Sequence, residues 1–144
     1  MLFRSEQFRA QVRARIEALL DEHPEVRGQA APGRMHEALD ARVEWERIMG
    51  RERFIGLAWP EEFGGRGLSM AKQLIFWEEY IDAGGPHRVG LVGDWLLGPT
   101  VIEHGTPEQQ ARFLPGILDG TVRWCQGYSE PDRSEEHTSE LQSH

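Results

Sequence analysis

The chain has 144 residues, 39% of them hydrophobic and 28% charged, and its 16 basic against 24 acidic side chains leave a formal charge of −8. That length suits one domain with a modest core, or one domain and the opening of another, and the acidic excess, with no basic patch visible along the sequence, argues against nucleic acid or a polybasic membrane surface as partner. One cysteine, Cys125, excludes an intrachain disulfide and fits a reducing cytoplasm, MLFRSEQFRA lacks the apolar run of a signal peptide, and no stretch nears the ~20 apolar residues of a membrane span.

In chain order, Phe8, Val12, Ile16 and Leu19 recur at near-helical spacing, with Glu6, Arg9, Arg13 and Glu17 on the other faces. Residues 5–20 are therefore predicted as an amphipathic helix. A loop follows from His23-Pro24 through Pro32-Gly33. Met35, Leu39, Val43 and Ile48, with Trp45, predict a second helix over 35–49 that closes near Gly50. Residues 54–69, FIGLAWPEEFGGRGLS, read as a connection carrying apolar anchors. In it Trp59 precedes Pro60 and is biased to extended backbone, and Gly64, Gly65 and Gly67 are expected to supply positive φ. Ser69 offers an N-cap to a third helix. That helix carries Leu74, Ile75, Phe76, Trp77, Tyr80 and Ile81, an apolar surface broad enough to meet more than one neighbour.

Beyond Gly84-Gly85-Pro86, residues 89–102 hold one charge, Asp94, and predict an interior helix broken near Gly98-Pro99. Thr106-Pro107-Glu108-Gln109 predicts a sharp helix start, with Thr106 as cap and Gln109 completing a capping box. That helix is expected to bend at Pro115 and stop by Gly120. Residues 121–129, TVRWCQGYS, are rich in β-branched and aromatic side chains and predict a strand. The last twelve residues, RSEEHTSELQSH, have one apolar side chain and bury no face at either period. They resemble the translation of an adapter oligonucleotide used in short-read sequencing, so 133–144 are expected to be a disordered, non-native tail.

Single motifs assign no reaction. Gly64-Gly65-Arg66-Gly67 is neither GxGxxG after a strand nor a P-loop, and fits a tight turn better than a phosphate cradle. Glu78 and Glu79 diverge by ~100° on a helix and are expected on a solvated face. Glu103-His104 has no second ligand at metal-binding spacing. Cys125 is expected as a small buried hydrophobe. Asp94, the lone acid in its run, is expected to be buried with a backbone or arginine partner rather than catalytic.

The order of segments says more. GLAWPEEFGGRGLS, a helix ending EEYIDAGGP, LLGPTVIEHGTPEQQARFLPGILDG and then WCQGYSEP resemble the N-terminal portion of a flavin-dependent acyl-CoA dehydrogenase, from about Ser5 to Asp132. The resemblance implies a mainly α fold: an all-helical N-terminal domain over 1–120, then the first strand of a flavin-binding β domain over 121–132. It implies FAD as cofactor, with Gln126, Tyr128 and Ser129 lining the isoalloxazine. It implies an FAD-dependent oxidoreductase that dehydrogenates an acyl-CoA thioester between Cα and Cβ, passes electrons to an electron-transfer flavoprotein and assembles as a homo-oligomer. The family's catalytic glutamate lies in a C-terminal helical bundle, so no catalytic or metal-binding residue is assigned in this chain, which is expected to be inactive alone. Where the family continues Glu130-Pro131 with a Gly-Ser-Asp segment, this chain has Asp132 and Arg133. Related flavin oxidases and monooxygenases, or a cofactor-free helical interaction module, are the alternative readings.

Overall fold

The structure, a computed structural model, describes residues 2–28 and 36–127. The predicted start of the second helix at Met35, the candidate residues Tyr128 and Ser129, and the tail from Arg133 lie outside the described residues. Five α-helices carry the fold: α1 Leu2–Glu22, α2 Leu39–Arg51, α3 Met70–Asp82, α4 Gly98–His104 and α5 Pro107–Leu118. Short 3-10 turns at Pro24–Val26 and Glu61–Phe63 punctuate the connections, and a π-helical turn at Gly93–Leu97 runs directly into α4.

The core forms where the apolar stripes of these helices converge. Ile16 and Leu20 of α1, Trp45 and Met49 of α2, Phe76 of α3 and Ile55 of the connection are wholly enclosed. Each such side chain contributes roughly 1.5–3 kcal/mol by leaving water. Phe76 meets Phe54 and Trp77 edge-on at 5.0 Å, which favours their ring quadrupoles. Buried polar ends find partners: the Trp45 indole N–H donates to the Tyr80 hydroxyl at 2.9 Å, and that hydroxyl donates to the Pro86 carbonyl at 2.7 Å.

Several expectations change on contact with the fold. Glu79 is not on a solvated face. It is buried between α1 and α3, where Arg9 reaches it at 2.5 Å and Arg13 also binds it, while Glu78 stays exposed and takes the second Arg9 nitrogen at 2.7 Å. One carboxylate thus joins two helices; the sequence shows only neighbouring acids, because its partners lie 66 and 70 residues away. Ser69 occupies the N-cap position of α3 without a side-chain capping bond; Gln73 instead turns back to the Leu68 carbonyl at 2.7 Å. Gly64 and Gly67 adopt φ of 84° and 55°, but Gly65 does not. Its reason is space, since a Cβ there would overlap the Trp59 carbonyl.

The break expected at Gly98-Pro99 is replaced by the π turn just ahead of it. Pro99 has no N–H for the carbonyl one turn back and its ring crowds that carbonyl, and widening the preceding turn relieves both demands. The Thr100 hydroxyl caps the Leu96 carbonyl at 2.7 Å. The capping box at α5 forms as expected, with Thr106 Oγ1 accepting from Gln109 N and Gln109 Oε1 accepting from Thr106 N.

Among the described residues no strand is present. Residues 121–127 leave α5 as an unpaired segment, tied by Thr121 N–H to Asp119 at 2.9 Å and by Val122 N–H to the Gly116 carbonyl at 3.0 Å. A β-rich composition makes a strand only when a second strand supplies its hydrogen bonds.

Candidate functional site

One side of the molecule exposes large apolar side chains that a core would normally take. Trp95 is 57% exposed, Leu96 49%, Leu74 57% and Ile81 71%, with Met70 beside them. The broad surface expected of α3 is thus real but only half covered: Phe76 and Tyr80 are inside, Leu74 and Ile81 outside. The π turn presents the other half, Trp95 and Leu96. Trp77 and Trp95 meet edge-to-face at 5.3 Å.

That tryptophan pair divides the face into two hollows. One, of about 310 Å³, lies over Leu57, Trp59, Leu74 and Trp77. The other, of about 530 Å³, lies over Ile81, Gly85, Pro86 and Leu91. Both share the Trp77–Trp95 ridge, and the larger falls within the range of small-molecule sites. A third hollow of about 250 Å³ is separate, lined by Leu96, Leu97, Thr100, Trp124, Cys125 and Gln126.

The ridge rests on a buried charge cluster. Arg88 donates to Asp94 at 2.6 Å and also binds Glu46, and all three are at most 4% exposed. The second Asp94 carboxylate oxygen accepts the Gly56 N–H at 2.9 Å, and the Asp94 carbonyl accepts the Trp59 indole N–H, also at 2.9 Å. The expectation for Asp94, buried with backbone and arginine partners, holds. Burial works against the Arg88 charge, but the attraction of Glu46 and then Asp94 outweighs it and holds the pKa above its ordinary value. The guanidinium also stands 5.6 Å from the Trp77 ring. Asp94 therefore fixes the π turn from one side, and Arg88 supports the ridge from beneath. Burial likewise drives the Tyr80 hydroxyl pKa upward, keeping it a neutral donor.

Sequence reasoning leaves Glu46 and Arg88 unassigned. A signal for Glu46 exists: with Arg42, Trp45 and Met49 it shares the i, i+3, i+4, i+7 stripe of α2, and a charge on a buried stripe requires a buried partner. Nothing local marks Arg88 as that partner.

Of the predicted cofactor residues, Gln126 is described and exposed, at the rim of the third hollow. Cys125, expected inside, is exposed as well, because residues 121–127 have no sheet to turn their alternate side chains inward. Trp124 is half-buried, edge-on to Phe113 at 5.4 Å, and its indole N–H is enclosed without a hydrogen-bond partner among the described residues. An open apolar hollow walled by Leu96, Leu97 and the Trp124 ring, with the amide of Gln126 at its rim, fits one flank of a flat ring system such as a flavin. Glu103 and His104 are exposed, and the described residues hold no cluster of three or more metal-ligand side chains. No described helix is long and apolar enough to cross a membrane.

A family model described as "Acyl-CoA dehydrogenase, N-terminal domain" matches residues 4–121. The chain is 49% identical over 128 residues to acyl-CoA dehydrogenase IpdE1 of Mycolicibacterium smegmatis, an alignment covering 88% of this chain and 33% of that protein. To IpdE1 of Mycobacterium tuberculosis it is 50% identical over 127 residues, with the same two coverages of 88% and 33%. Among solved structures, the Tcur3481-Tcur3483 steroid ACAD matches with a TM-score of 0.70 at 34% identity, over 88% of this chain and 32% of that one. The ChsE4-ChsE5 complex from Mycobacterium tuberculosis matches with a TM-score of 0.70 at 32% identity, over 90% of this chain and 31% of that one. The chain spans about a third of the length of the relatives it matches.

Proposed function

The chain belongs to the acyl-CoA dehydrogenase family, and from that premise we propose that its exposed tryptophan face is one wall of the pocket in which the whole protein oxidises an acyl-CoA thioester. The reaction removes a proton from Cα and a hydride from Cβ. When bound, FAD supplies the two-electron acceptor for that step, and an electron-transfer flavoprotein then receives the electrons.

The single observation that carries this reading is the shared π turn. The π turn lines all three hollows, Trp95 the first two and Leu96 and Leu97 the one beside Trp124 and Gln126, so one short element would stand between an acyl body and a flavin edge. On the flavin side Gln126, Tyr128 and Ser129 are the residues proposed to line the isoalloxazine. Fixed donors at the ring edge stabilise developing charge without reorganising, which is where such residues act most strongly. On the substrate side Trp77, Trp95 and Leu74 exclude water, which strengthens every polar interaction at the reacting carbons.

The dimensions favour a bulky acyl group. A hollow of about 530 Å³ divided from a second by a tryptophan ridge suits a fused-ring body better than a slender chain. The name "steroid ACAD" borne by one similar structure agrees with that choice. The paired names of the solved relatives likewise support an oligomeric enzyme, made of copies of this chain or of this chain with a related one. The proposed place of action is the cytoplasm.

The chain by itself is proposed to be inactive, since Asp94, the carboxylate lining the smaller hollow, has both oxygens engaged by Arg88 and the Gly56 N–H and is not free to serve as base. Two measurements test the reading. FAD added to the 144-residue chain should leave on dialysis, giving no stoichiometric yellow complex. In the full-length protein under anaerobic conditions, a ring-bearing acyl-CoA should bleach the flavin absorbance faster than a straight-chain one. Failure of every acyl-CoA to bleach it would overturn the assignment.

A further inference from the structure

Away from the tryptophan face, a further cavity of about 330 Å³ opens between α1 and the connection, lined by Phe8, Gln11, Arg15, Glu52, Arg53 and Arg66 among others. It gathers positive charge in a chain whose formal charge is −8, and so corrects the expectation that no basic patch exists. The charges there are unequal in their commitments. Arg15 is spent on Glu52, gripping it through Nε at 2.8 Å and a terminal nitrogen at 2.5 Å. Arg53 and Arg66 form no ion pair among the described residues, and neither Glu61 nor Glu62 of the adjoining turn reaches them. Arg66, half-buried, lies below its ordinary pKa, first through burial and then through the positive charge of Arg53. Lys72 adds a third cation, its ammonium 5.4 Å from the ring of Phe8.

Both arginines are held by backbone that does not yield easily. The Arg66 N–H donates to the Gly56 carbonyl at 3.1 Å, inside the turn set by Gly64 and Gly67. Arg53 stands at φ 57°, a left-handed conformation that a side-chain-bearing residue adopts at a cost, and one of its terminal nitrogens reaches the Gly65 carbonyl at 3.3 Å. Two cations fixed at one opening repel each other, and strain at one of them adds to the cost. An anion bridging them would remove the repulsion, and, with the cavity's acid Glu52 already held by Arg15, two such charges suit a dianion better than a single carboxylate.

We propose that Arg53 and Arg66 form a binding site for the phosphate group of a small molecule, with the Gly64–Gly67 turn as its rigid support. The site is independent of the acyl-CoA reading. Its shared chemistry is a phosphate dianion, free in solution or carried by a nucleotide, whose base would have room beside Phe8.

Thermal unfolding of the 144-residue chain, with inorganic phosphate against chloride at equal ionic strength, is the first test. Phosphate should raise Tm where chloride does not. By 31P NMR titration, Arg66→Gln should weaken phosphate binding about ten-fold, the size of one charge-assisted contact. Arg53→Gly should weaken it similarly while leaving Tm in chloride unchanged or higher, because glycine accepts the left-handed backbone. This second variant separates loss of the site from loss of the fold. ADP binding more tightly than pyrophosphate would assign the dianion to a nucleotide, and equal binding to free phosphate species. Equal Tm in phosphate and chloride, or phosphate affinity unchanged in both variants, would overturn the proposal.

Discussion

A charge buried in a small domain is tolerated only with its partners in place, and Asp94 shows how much structure can hang on one such residue. It accepts the Gly56 N–H, supplies one of the two carboxylates that face Arg88, and through its own carbonyl orients Trp59. Asp94→Ala leaves Arg88 still paired with Glu46 but strands the Gly56 donor, so urea denaturation should show a loss of about 1–3 kcal/mol. Glu79 makes a different prediction. Burial opposes its charge, but the hydrogen bonds from Arg9 and Arg13 prevail and hold its pKa below the ordinary 4.5. The unfolded chain therefore takes up this proton first as pH falls, so the stabilisation is complete above the ordinary value and drains away on acidification through the lowered one. Glu79→Gln should flatten that acid limb of stability against pH; an unchanged limb would refute it. Asp94 is legible in the sequence because a lone acid in an uncharged run announces its burial. Glu79 is not, because its arginines come from another helix and no local pattern separates it from exposed Glu78.

Elements whose signals are local follow directly from the sequence. The α5 start needs only Thr106, Pro107 and Gln109, three neighbouring residues whose bonds close on one another. The π turn needs more: Pro99 withdraws a donor, Asp94 is anchored from outside the helix, and Trp59 presses on Gly98. Sequence shows the proline and suggests a break; the tertiary anchors convert the break into a wider turn that pushes Trp95 outward. A Cβ at Gly98 would overlap the Trp59 indole. Gly98→Ala should therefore cost about 1–3 kcal/mol in thermal or chemical denaturation, and should alter tryptophan fluorescence as the indole is displaced. A variant as stable as the parent would mean the helix and Trp59 are not in close contact. The Ser69 cap does not form although the residue stands at the N-cap position, and Gln73 ties the turn instead by donating to the Leu68 carbonyl.

At the scale of the whole molecule, the helical domain is legible from periodicity and its family from the order of four segments. The candidate site is legible only in part. Gln126 sits where a flavin flank is proposed, but Tyr128 and Ser129 fall outside the described residues, and residues 121–127 have no neighbouring strand to set their register. The tryptophan face emerges only from the fold, since exposure of Trp95 or Ile81 depends on what packs opposite them and not on their spacing. An apolar face of this breadth on a chain that spans about a third of its relatives' length is expected to be covered when the rest of the protein is present. Acrylamide quenching of Trp95, isolated as the difference between the parent and Trp95→Phe, measures that directly. Quenching should be strong in the 144-residue chain, weak in the full-length protein, and weaker still there once a ring-bearing acyl-CoA is added. Equal quenching in the chain and the full-length protein, unmoved by acyl-CoA, would contradict a covered tryptophan wall.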